Sequence, residues 1–461
     1  MTTNDLLAGA LREVYPITLT LFWIFALGVL FLRPRWALLS LLLGANVNVI
    51  TPGFLSATSV GWQNGVQTLV LPTVLLLRLT GFKVPRLRLG FPAMAWAALT
   101  LYAAVSTLWS PFKLSGVKMI GFLAGWFILY LVFHLAWERR ILDEGLLIAA
   151  LWCSLGLACI QTYVLGSPEQ VVTHQFTSFT AAESFAIFLS SILALLLFST
   201  GRPWLHGVSL AACVLGVILA GDRTALIGLA SLLFVWLLHR KKAIGTRYGV
   251  RFAAVVPPFV VLLLLFLGFR AGMAWGMPES RLNELMQLGS NSVATLQDIG
   301  TVAFRLDMYE STLSEVSGRA LPALVFGSGT ASGGTLSFGG QEQYVIGMDP
   351  NRTIHDEFLR ALYEWGLIGL GLGLALIFHL AGRSWHLAVR EGSLPAMAVV
   401  GMLPAMLLLL VDGNPLSSPA ETMGMGLLLV LTYGFSAGPQ VAKMRARATL
   451  AKSSQKRSVA E

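Results

Sequence analysis

The stretch Asn-Arg-Thr-Ile-His-Asp-Glu-Phe-Leu-Arg-Ala-Leu-Tyr-Glu-Trp-Gly at residues 351–366 joins the two kinds of sequence in this chain. Before it lies a long polar loop, at about residues 270–354, and after it we expect an apolar helix to begin near Leu367. The stretch therefore carries a histidine, two arginines and three carboxylates at one membrane surface. Ionisable groups are costly at such a place, which favours a functional role for them.

The composition around this stretch indicates an integral membrane protein. Hydrophobic residues make up 56% of the chain, charged residues make up 12%, and the mean hydropathy is +0.73. Because a hydrocarbon core of about 30 Å needs roughly 20 apolar residues per helix, we expect an all-α fold, a polytopic transmembrane helical bundle with about 12–13 spans and one large outer loop. The expected spans lie near residues 16–32, 36–51, 62–78, 90–108, 118–137, 145–163, 183–200, 205–220, 223–239, 252–269, 361–381, 393–411 and 421–438.

The net charge of +9 follows membrane topology and does not indicate a nucleic-acid partner. Most Lys and Arg residues fall in alternate loops and in the C-terminal tail, and the positive-inside rule assigns these segments to the cytoplasm. The long loop then lies outside, with short helices expected at 279–288 and 302–316. We expect four parts, listed in order: N-terminal transmembrane helices at 1–269, the large loop at 270–354, C-terminal transmembrane helices at 355–438, and a basic cytoplasmic tail at 439–461.

Arginines on the outer side are candidates for binding an anion. Arg223 lies in the tight Gly-Asp-Arg-Thr link between two spans, Arg305 lies on the helix expected at 302–316, and Arg352 precedes the histidine. A planar guanidinium suits phosphate oxygens, so Arg223 and Arg305 would form a clamp. Structural roles compete with this one, because Arg223 could pair with Asp222 or snorkel to water, and Arg305 could be solvated by nearby carboxylates.

The glycine-rich segment at residues 327–334 offers a second kind of anion contact. Its sequence, Gly-Ser-Gly-Thr-Ala-Ser-Gly-Gly, could direct backbone N–H groups at a phosphate. A flexible loop is the competing interpretation of the same composition.

His355 is the candidate catalytic residue. A neutral imidazole has a reference pKa near 6.5, which suits removal of a proton from a sugar hydroxyl at neutral pH. Asp356 and Glu357 follow it directly and could tune it or contact the substrate. The competing interpretation is structural: His355 begins a helix, and Asp356, Arg360 and Glu364 form a charge ladder along one face.

Other chemistries find no support in the sequence. The motifs Walker A, HExxH and paired CxxC do not occur, which disfavours a nucleotide motor and a structural zinc site. Asp349, Asp356 and Glu357 are acidic, but no spacing fixes them as ligands of a divalent cation. We therefore expect neither a cofactor nor a metal.

Taken together, three pieces of sequence resemble a known family. They are Gly-Asp-Arg-Thr between two spans, an arginine in the outer loop, and Ile354-His-Asp-Glu-Phe-Leu359 followed by Glu364-Trp-Gly-Leu-Ile-Gly369. This combination resembles the O-antigen ligase and Wzy-type polymerase superfamily, most closely over about residues 221–370. The Trp-Ser-Pro at 109–111 is also similar. Asp356 departs from the Asn that commonly follows the family histidine.

The resemblance implies a GT-C-type glycosyltransferase of the bacterial inner membrane, with its large loop and active site facing the periplasm. The donor would be a glycan on undecaprenyl diphosphate, and membrane lipid would surround it. Arg223 and Arg305 would hold the diphosphate, and His355 would activate the acceptor hydroxyl. The reaction would invert the anomeric carbon without a metal.

The acceptor would decide the name of the activity. A second lipid-linked repeat makes the enzyme a polymerase of O-antigen or exopolysaccharide, lipid A-core makes it a ligase, and a protein side chain makes it an O-oligosaccharyltransferase. We favour the polymerase because that role is commoner in the superfamily, and we expect other polysaccharide assembly proteins as partners. A lipid flippase that binds the same headgroup is the competing class, although no inverted repeat is evident.

Overall fold

A computed structural model of the chain describes residues 33–46, 69–81, 91–165, 182–199, 203–220, 222–244, 301–336, 354, 356–412 and 424–435. Within these residues the chain is mostly helical and has no strand, as the hydropathy predicts. The α-helices are α1 (Pro34–Asn46), α2 (Leu71–Thr80), α3 (Phe91–Ser106), α4 (Lys113–Glu138), α5 (Glu144–Cys159), α6 (Ala182–Leu197), α7 (Pro203–Ala220), α8 (Arg223–Ile244), α9 (Thr301–Ser317), α10 (Leu321–Phe326), α11 (Glu357–Glu391), α12 (Leu394–Asp412) and α13 (Gly424–Phe435).

Five helical stretches in the described part are long and apolar enough to cross a membrane. They are Phe91–Trp109, Lys113–Glu138, Glu144–Thr162, Glu357–Glu391 and Leu394–Val411. Shorter apolar helices occupy further expected spans, at Leu71–Thr80, Glu183–Leu197, Leu205–Ala220, Thr224–His239 and Gly424–Phe435. The spans expected near 16–32 and 252–269 lie outside the described residues. The chain is a multi-pass membrane protein, and the total of about 12–13 spans stays a prediction.

Close packing between α8 and α12 shows how these two helices run relative to each other. Gly228 lies against Ala405, and a Cβ placed on Gly401 would come within 2.6 Å of the Leu232 side chain. Small residues allow two membrane helices to approach closely where the hydrophobic effect adds little. Because Gly228 faces Ala405 and Leu232 faces Gly401, the helices are antiparallel. The N-terminus of α8 therefore lies at the same end of the bundle as the C-terminus of α12.

The tight link before α8 is stabilised by a helix cap. The Asp222 carboxylate accepts a hydrogen bond of 2.7 Å from the backbone N–H of Ala225. An Asp at this position satisfies an N–H that has no partner within the helix. Asp222 therefore has a structural role at the predicted Gly-Asp-Arg-Thr link, and Arg223 is the first residue of α8.

The described part of the large loop packs against α11. The helix expected at 302–316 is present as α9, whereas the one expected at 279–288 lies outside the described residues. Met308 on α9 belongs to one buried hydrophobic cluster with Ile354 and with Tyr363 of α11. The hydroxyl of Tyr309 donates a 3.0 Å hydrogen bond to the carbonyl of Val411, near the end of α12. These contacts bring α9 to the end of the bundle where α8 begins.

Candidate functional site

A break at Gly366 separates the first segment of α11, residues 357–365, from the rest of the helix. Gly366 has φ 63° and ψ −162°, a conformation that is open essentially to glycine alone. A Cβ on it would lie 2.4 Å from the carbonyl oxygen of Val325 and 2.5 Å from the nitrogen of Gly327. The break therefore lets the backbone of the large loop touch the backbone of α11.

The glycine-rich segment satisfies the carbonyl groups that this break releases. The N–H of Ser328 donates to the carbonyl of Tyr363 at 3.0 Å, and the N–H of Gly329 donates to the carbonyl of Glu364 at 2.8 Å. Arg319 also donates to the Tyr363 carbonyl, at 2.9 Å, with its guanidinium 3.9 Å from the Tyr363 ring centre. Backbone groups buried at a helix break need such partners.

The side chain of Glu364 holds the same segment from the other side. It is buried, and it accepts hydrogen bonds from the N–H groups of Ala331 at 2.9 Å and Gly333 at 3.4 Å. These are two of the N–H donors that the sequence offered as a phosphate contact, so that interpretation is wrong for Ala331 and Gly333. The segment is an ordered structural loop clamped by a carboxylate, because these backbone donors are satisfied within the protein.

Thr330 connects this loop to the end of α3. Its hydroxyl donates to the carbonyl of Ala103 at 2.7 Å, accepts from the indole N–H of Trp365 at 2.9 Å, and lies 2.6 Å from the Ser106 hydroxyl. Its carbonyl accepts a 2.6 Å hydrogen bond from the Ser110 hydroxyl. The Trp-Ser-Pro noted in the sequence thus has a structural function through its serine, which joins the α3–α4 link to the loop.

Asp356 caps the first segment of α11. One carboxylate oxygen accepts hydrogen bonds of 2.8 Å from the N–H groups of Phe358 and Leu359, so the helix begins at Glu357 and not at the histidine. Burial raises the pKa of the Asp356 carboxyl above its ordinary value, although both of these hydrogen bonds act to lower it. The cap fixes the direction in which the chain enters α11 immediately after residue 355.

The charged residues of this segment form a buried row, which corrects the expected charge ladder. Arg360 is only 1% exposed, and its guanidinium lies 3.1 Å from a carboxylate oxygen of Glu357 and 5.7 Å from the Trp365 ring centre. The Nε and Nη1 atoms of Arg360 have no hydrogen-bond partner in the described part of the chain. Asp356 and Glu364 instead bind backbone N–H groups. The i, i+4 spacing indicated a charge ladder along one face, but it does not reveal whether that face is buried.

The structure describes the remaining predicted site residues only in part. Arg352 and His355 lie outside the described residues, as do the side chains of Arg223 and Arg305. The backbone of Arg223 begins α8, at the end of the bundle reached by α9 and by the C-terminus of α12. Arg305 lies on α9 one helical turn before Met308, which shares its hydrophobic cluster with Ile354.

The described residues contain no candidate metal centre. No group of three or more His, Cys, Asp or Glu side chains there could hold a metal ion. Of the three acidic residues considered from the sequence, Asp356 caps α11, Glu357 pairs with Arg360, and Asp349 lies outside the described residues.

Sequence reasoning missed Thr330, Arg319 and the clamping role of Glu364. A signal for the clamp was present, since Gly366 interrupts an apolar helical pattern directly after Glu364 and Trp365. A glycine at such a place indicates a break or a close backbone approach. Nothing in the sequence indicated which loop would make that approach.

Comparison with known families adds an independent finding. Residues 208–374 match the family described as O-antigen ligase. The match confirms the resemblance found in the sequence and supports membership in the O-antigen ligase and polymerase superfamily. The matched O-antigen ligase domain runs from α7 to the middle of α11, so it contains α8, α9, the glycine-rich segment and the buried charged row. No curated protein matches the chain.

Proposed function

We propose that the protein is a glycosyltransferase that moves a glycan from an undecaprenyl diphosphate carrier to a hydroxyl acceptor on the periplasmic side of the inner membrane. The observation that carries the proposal is the O-antigen ligase match over residues 208–374, the stretch that includes every candidate site residue. The ligase family supports a glycosyltransferase-like activity, and the same family resemblance suggests the lipid-linked donor.

Each candidate residue receives a role from its chemistry. Arg223, Arg305 and Arg352 bind the diphosphate and stabilise the negative charge that grows on it as the bond to the sugar breaks. The convergence of α8 and α9 at one end of the bundle supports a shared site for Arg223 and Arg305. Guanidinium groups can supply this positive charge, so the proposal includes no metal.

His355 accepts the proton of the acceptor hydroxyl in this mechanism. The acceptor oxygen attacks the anomeric carbon from the side opposite the diphosphate, a new C–O bond forms, and the sugar–phosphate bond breaks with inversion. The proton passes to the imidazole and the electron pair leaves on the diphosphate. Asp356 and Glu357 position the histidine, since one caps α11 and the other is held by Arg360.

The test is a reconstituted transfer reaction. Purified protein in nanodiscs receives an undecaprenyl diphosphate-linked oligosaccharide and one of three acceptors: a second lipid-linked repeat, lipid A-core or a peptide. Gels and mass spectrometry then follow product size. A ladder of product lengths identifies a polymerase. A single addition to lipid A-core identifies a ligase, and a glycopeptide product identifies an O-oligosaccharyltransferase. We expect the polymerase ladder.

Substitutions tie that activity to the site. We expect His355→Ala to lower the rate by about 100-fold or more, as loss of a general base does. Arg305→Ala should abolish turnover, with partial recovery in Arg305→Lys. His386→Ala is the matched control, because His386 is exposed towards the opposite end of α11. If no acceptor receives a glycosidic bond while the lipid crosses liposome membranes, the protein is a flippase and the proposal is wrong.

A further inference from the structure

Helix α10 is a short apolar helix that is exposed at both ends and half-buried in its middle, where Leu324 packs against the cluster of Met308, Ile354 and Tyr363. Its sequence is Leu-Pro-Ala-Leu-Val-Phe, and none of its residues is buried in the fold. Leu321 is 70% exposed and Phe326 is also exposed. Helix α10 follows shortly after α9 in the large loop, and α9 has a more polar sequence. Leu321 and Phe326 therefore leave apolar side chains exposed on the surface of the described structure.

The position of α10 relative to the membrane follows from α11. The helix has 35 residues, which is about 52 Å at 1.5 Å per residue and more than the roughly 30 Å of a hydrocarbon core. Residues 367–391 alone would cover about 37 Å, so the portion after Gly366 suffices to cross. We take the outer membrane boundary to lie near the break at Gly366, and the contact of Val325 with Gly366 then places α10 at that level.

The ends of two further candidate spans lie at the same level. In the span Phe91–Trp109, the hydroxyl of Tyr102 donates a 3.0 Å hydrogen bond to the carbonyl of Phe326. Ser110, between this span and α4, bonds to Thr330 in the adjoining loop. Two separate features therefore place α10 at one boundary: the helix break in α11 and the link between α3 and α4.

Apolar side chains at these span ends are exposed alongside α10. Leu108 and Trp109 are exposed at the end of the span, and Leu114 is 86% exposed in the first turn of α4. Tryptophan is enriched where a membrane helix meets the headgroup region. Exposed apolar groups at the ends of membrane spans are expected to face lipid, and the bonds from Tyr102 and Ser110 join these span ends to α10 and the adjoining loop.

We propose that α10 is an interfacial membrane anchor, which together with Leu108, Trp109 and Leu114 inserts into the boundary between headgroups and acyl chains of the outer leaflet. The partner is the lipid surface itself, because the exposed surface of α10 is apolar and continuous with the candidate spans. Since α10 leads directly into the glycine-rich segment, the anchor fixes the height of the first segment of α11 above the membrane. If the proposed transfer reaction is correct, this height suits a donor whose diphosphate stands at the same boundary.

Spin labelling measures this insertion without using enzyme activity. Cys153, Cys159 and Cys213 are replaced by Ala or Ser, and a single nitroxide is attached at Leu321→Cys in phosphatidylcholine nanodiscs. Accessibility to oxygen, which concentrates in lipid, is compared with accessibility to a water-soluble nickel chelate. Leu101→Cys is the lipid reference within a span, and Leu313→Cys on α9 is the control, since Leu313 is also an exposed leucine.

We expect the oxygen-to-nickel accessibility ratio at position 321 to exceed that at position 313 by about threefold or more and to stay below that at position 101, as for shallow insertion. Phe326→Cys provides a second position if Leu321→Cys does not fold. A ratio at 321 equal to that at 313 would overturn the proposal. Spin–spin broadening with low access to both reagents would also overturn it, because the surface would then be covered by a second copy of the chain.

Discussion

Two regions of this protein are held together by different physical means. The core formed by α6, α8, α12 and α13 is packed from apolar and small residues, with glycines such as Gly228 and Gly401 at the closest approaches. The site end, where the glycine-rich segment meets α3 and the first segment of α11, is held by hydrogen bonds and buried charges. Apolar packing tolerates small shifts, whereas these polar contacts require fixed geometry. The molecule therefore concentrates its specific contacts beside the candidate site.

Replacing Gly366 should give the largest effect. In Gly366→Ala the new Cβ would meet the Val325 carbonyl at 2.4 Å, on a residue whose φ and ψ suit glycine alone. We expect a loss of about 5 kcal/mol or more in the free energy of unfolding, because the clash is with backbone atoms and adds to the strain at this φ and ψ. Thermal unfolding in nanodiscs, followed by intrinsic fluorescence, measures the change.

The matched control is Gly371→Ala in the same helix. Nothing lies within 4 Å of a Cβ at Gly371, and the residue has helical geometry, so we expect no loss and a gain of up to about 1 kcal/mol. Equal unfolding temperatures for the two variants would show that the backbone contact at Gly366 does not stabilise the site end.

Removing the guanidinium of Arg360 should be next in size. Arg360→Met leaves the buried carboxylates of Glu357 and Glu364 without their positive neighbour, and we expect a loss of about 3–5 kcal/mol. The comparison is Arg35→Met, because Arg35 and Asp143 form an ion pair of 2.8 Å in which both side chains are well exposed. That substitution should cost about 1 kcal/mol or less.

A double variant separates charge from packing at Arg360. If the cost of Arg360→Met comes from uncompensated charge, Arg360→Met combined with Glu357→Gln should recover more than half of it in the same unfolding assay. No recovery would mean that Arg360 stabilises the segment through its packing against Met119 and Trp365.

Two buried threonines offer a smaller test of the same contrast. Thr330→Val removes a hydroxyl that bonds to two other chain segments, and we expect a loss of about 1–3 kcal/mol. Thr432→Val removes a hydroxyl that donates only to the Leu428 carbonyl of its own helix, at 2.7 Å, so it should cost less than about 1 kcal/mol. Chemical unfolding of both variants in the same detergent decides the order, and a reversed order would contradict the special role of Thr330.

The same contrast explains what the sequence could predict. Hydropathy predicts helices such as α3, α4 and α12 within a few residues, because an apolar run long enough to cross a membrane has few alternatives. The match to O-antigen ligases likewise supports the family resemblance drawn from Gly-Asp-Arg-Thr and Ile-His-Asp-Glu-Phe-Leu. Both depend on local sequence alone.

The contacts at the site end could not be predicted, because they join distant parts of the chain. Glu364 and Arg360 are spaced as a solvent-exposed ladder would be, and only tertiary packing shows that their face is buried. The glycine-rich segment has the composition of a flexible loop, yet Glu364 and Thr330 order it. The roles of His355 and the arginines stay predictions, and the transfer experiment tests them.

The smallest expected effect is the pH dependence contributed by Asp356. Burial raises the pKa of its carboxyl above the usual 3.8, so the folded state holds the proton more firmly than the unfolded state. Stability contributed by protonation is then present at low pH and is lost as the pH rises from about 3.8 through the raised pKa. Asp356→Asn keeps an oxygen that can cap α11 but does not titrate. Its stability relative to wild type should therefore rise across this pH window, by about 1 kcal/mol or less, and then level off.

The comparison with Asp356→Ala separates the cap from the charge. The alanine variant loses both hydrogen bonds to Phe358 and Leu359, so at neutral pH it should be less stable than the asparagine variant by about 1 kcal/mol. The raised pKa of Asp356 would be contradicted if the stability of Asp356→Asn relative to wild type stayed constant or fell as the pH rose. Because the family histidine is commonly followed by Asn, retention of activity in Asp356→Asn would show that the cap, and not the negative charge, is what this position supplies to the neighbouring His355.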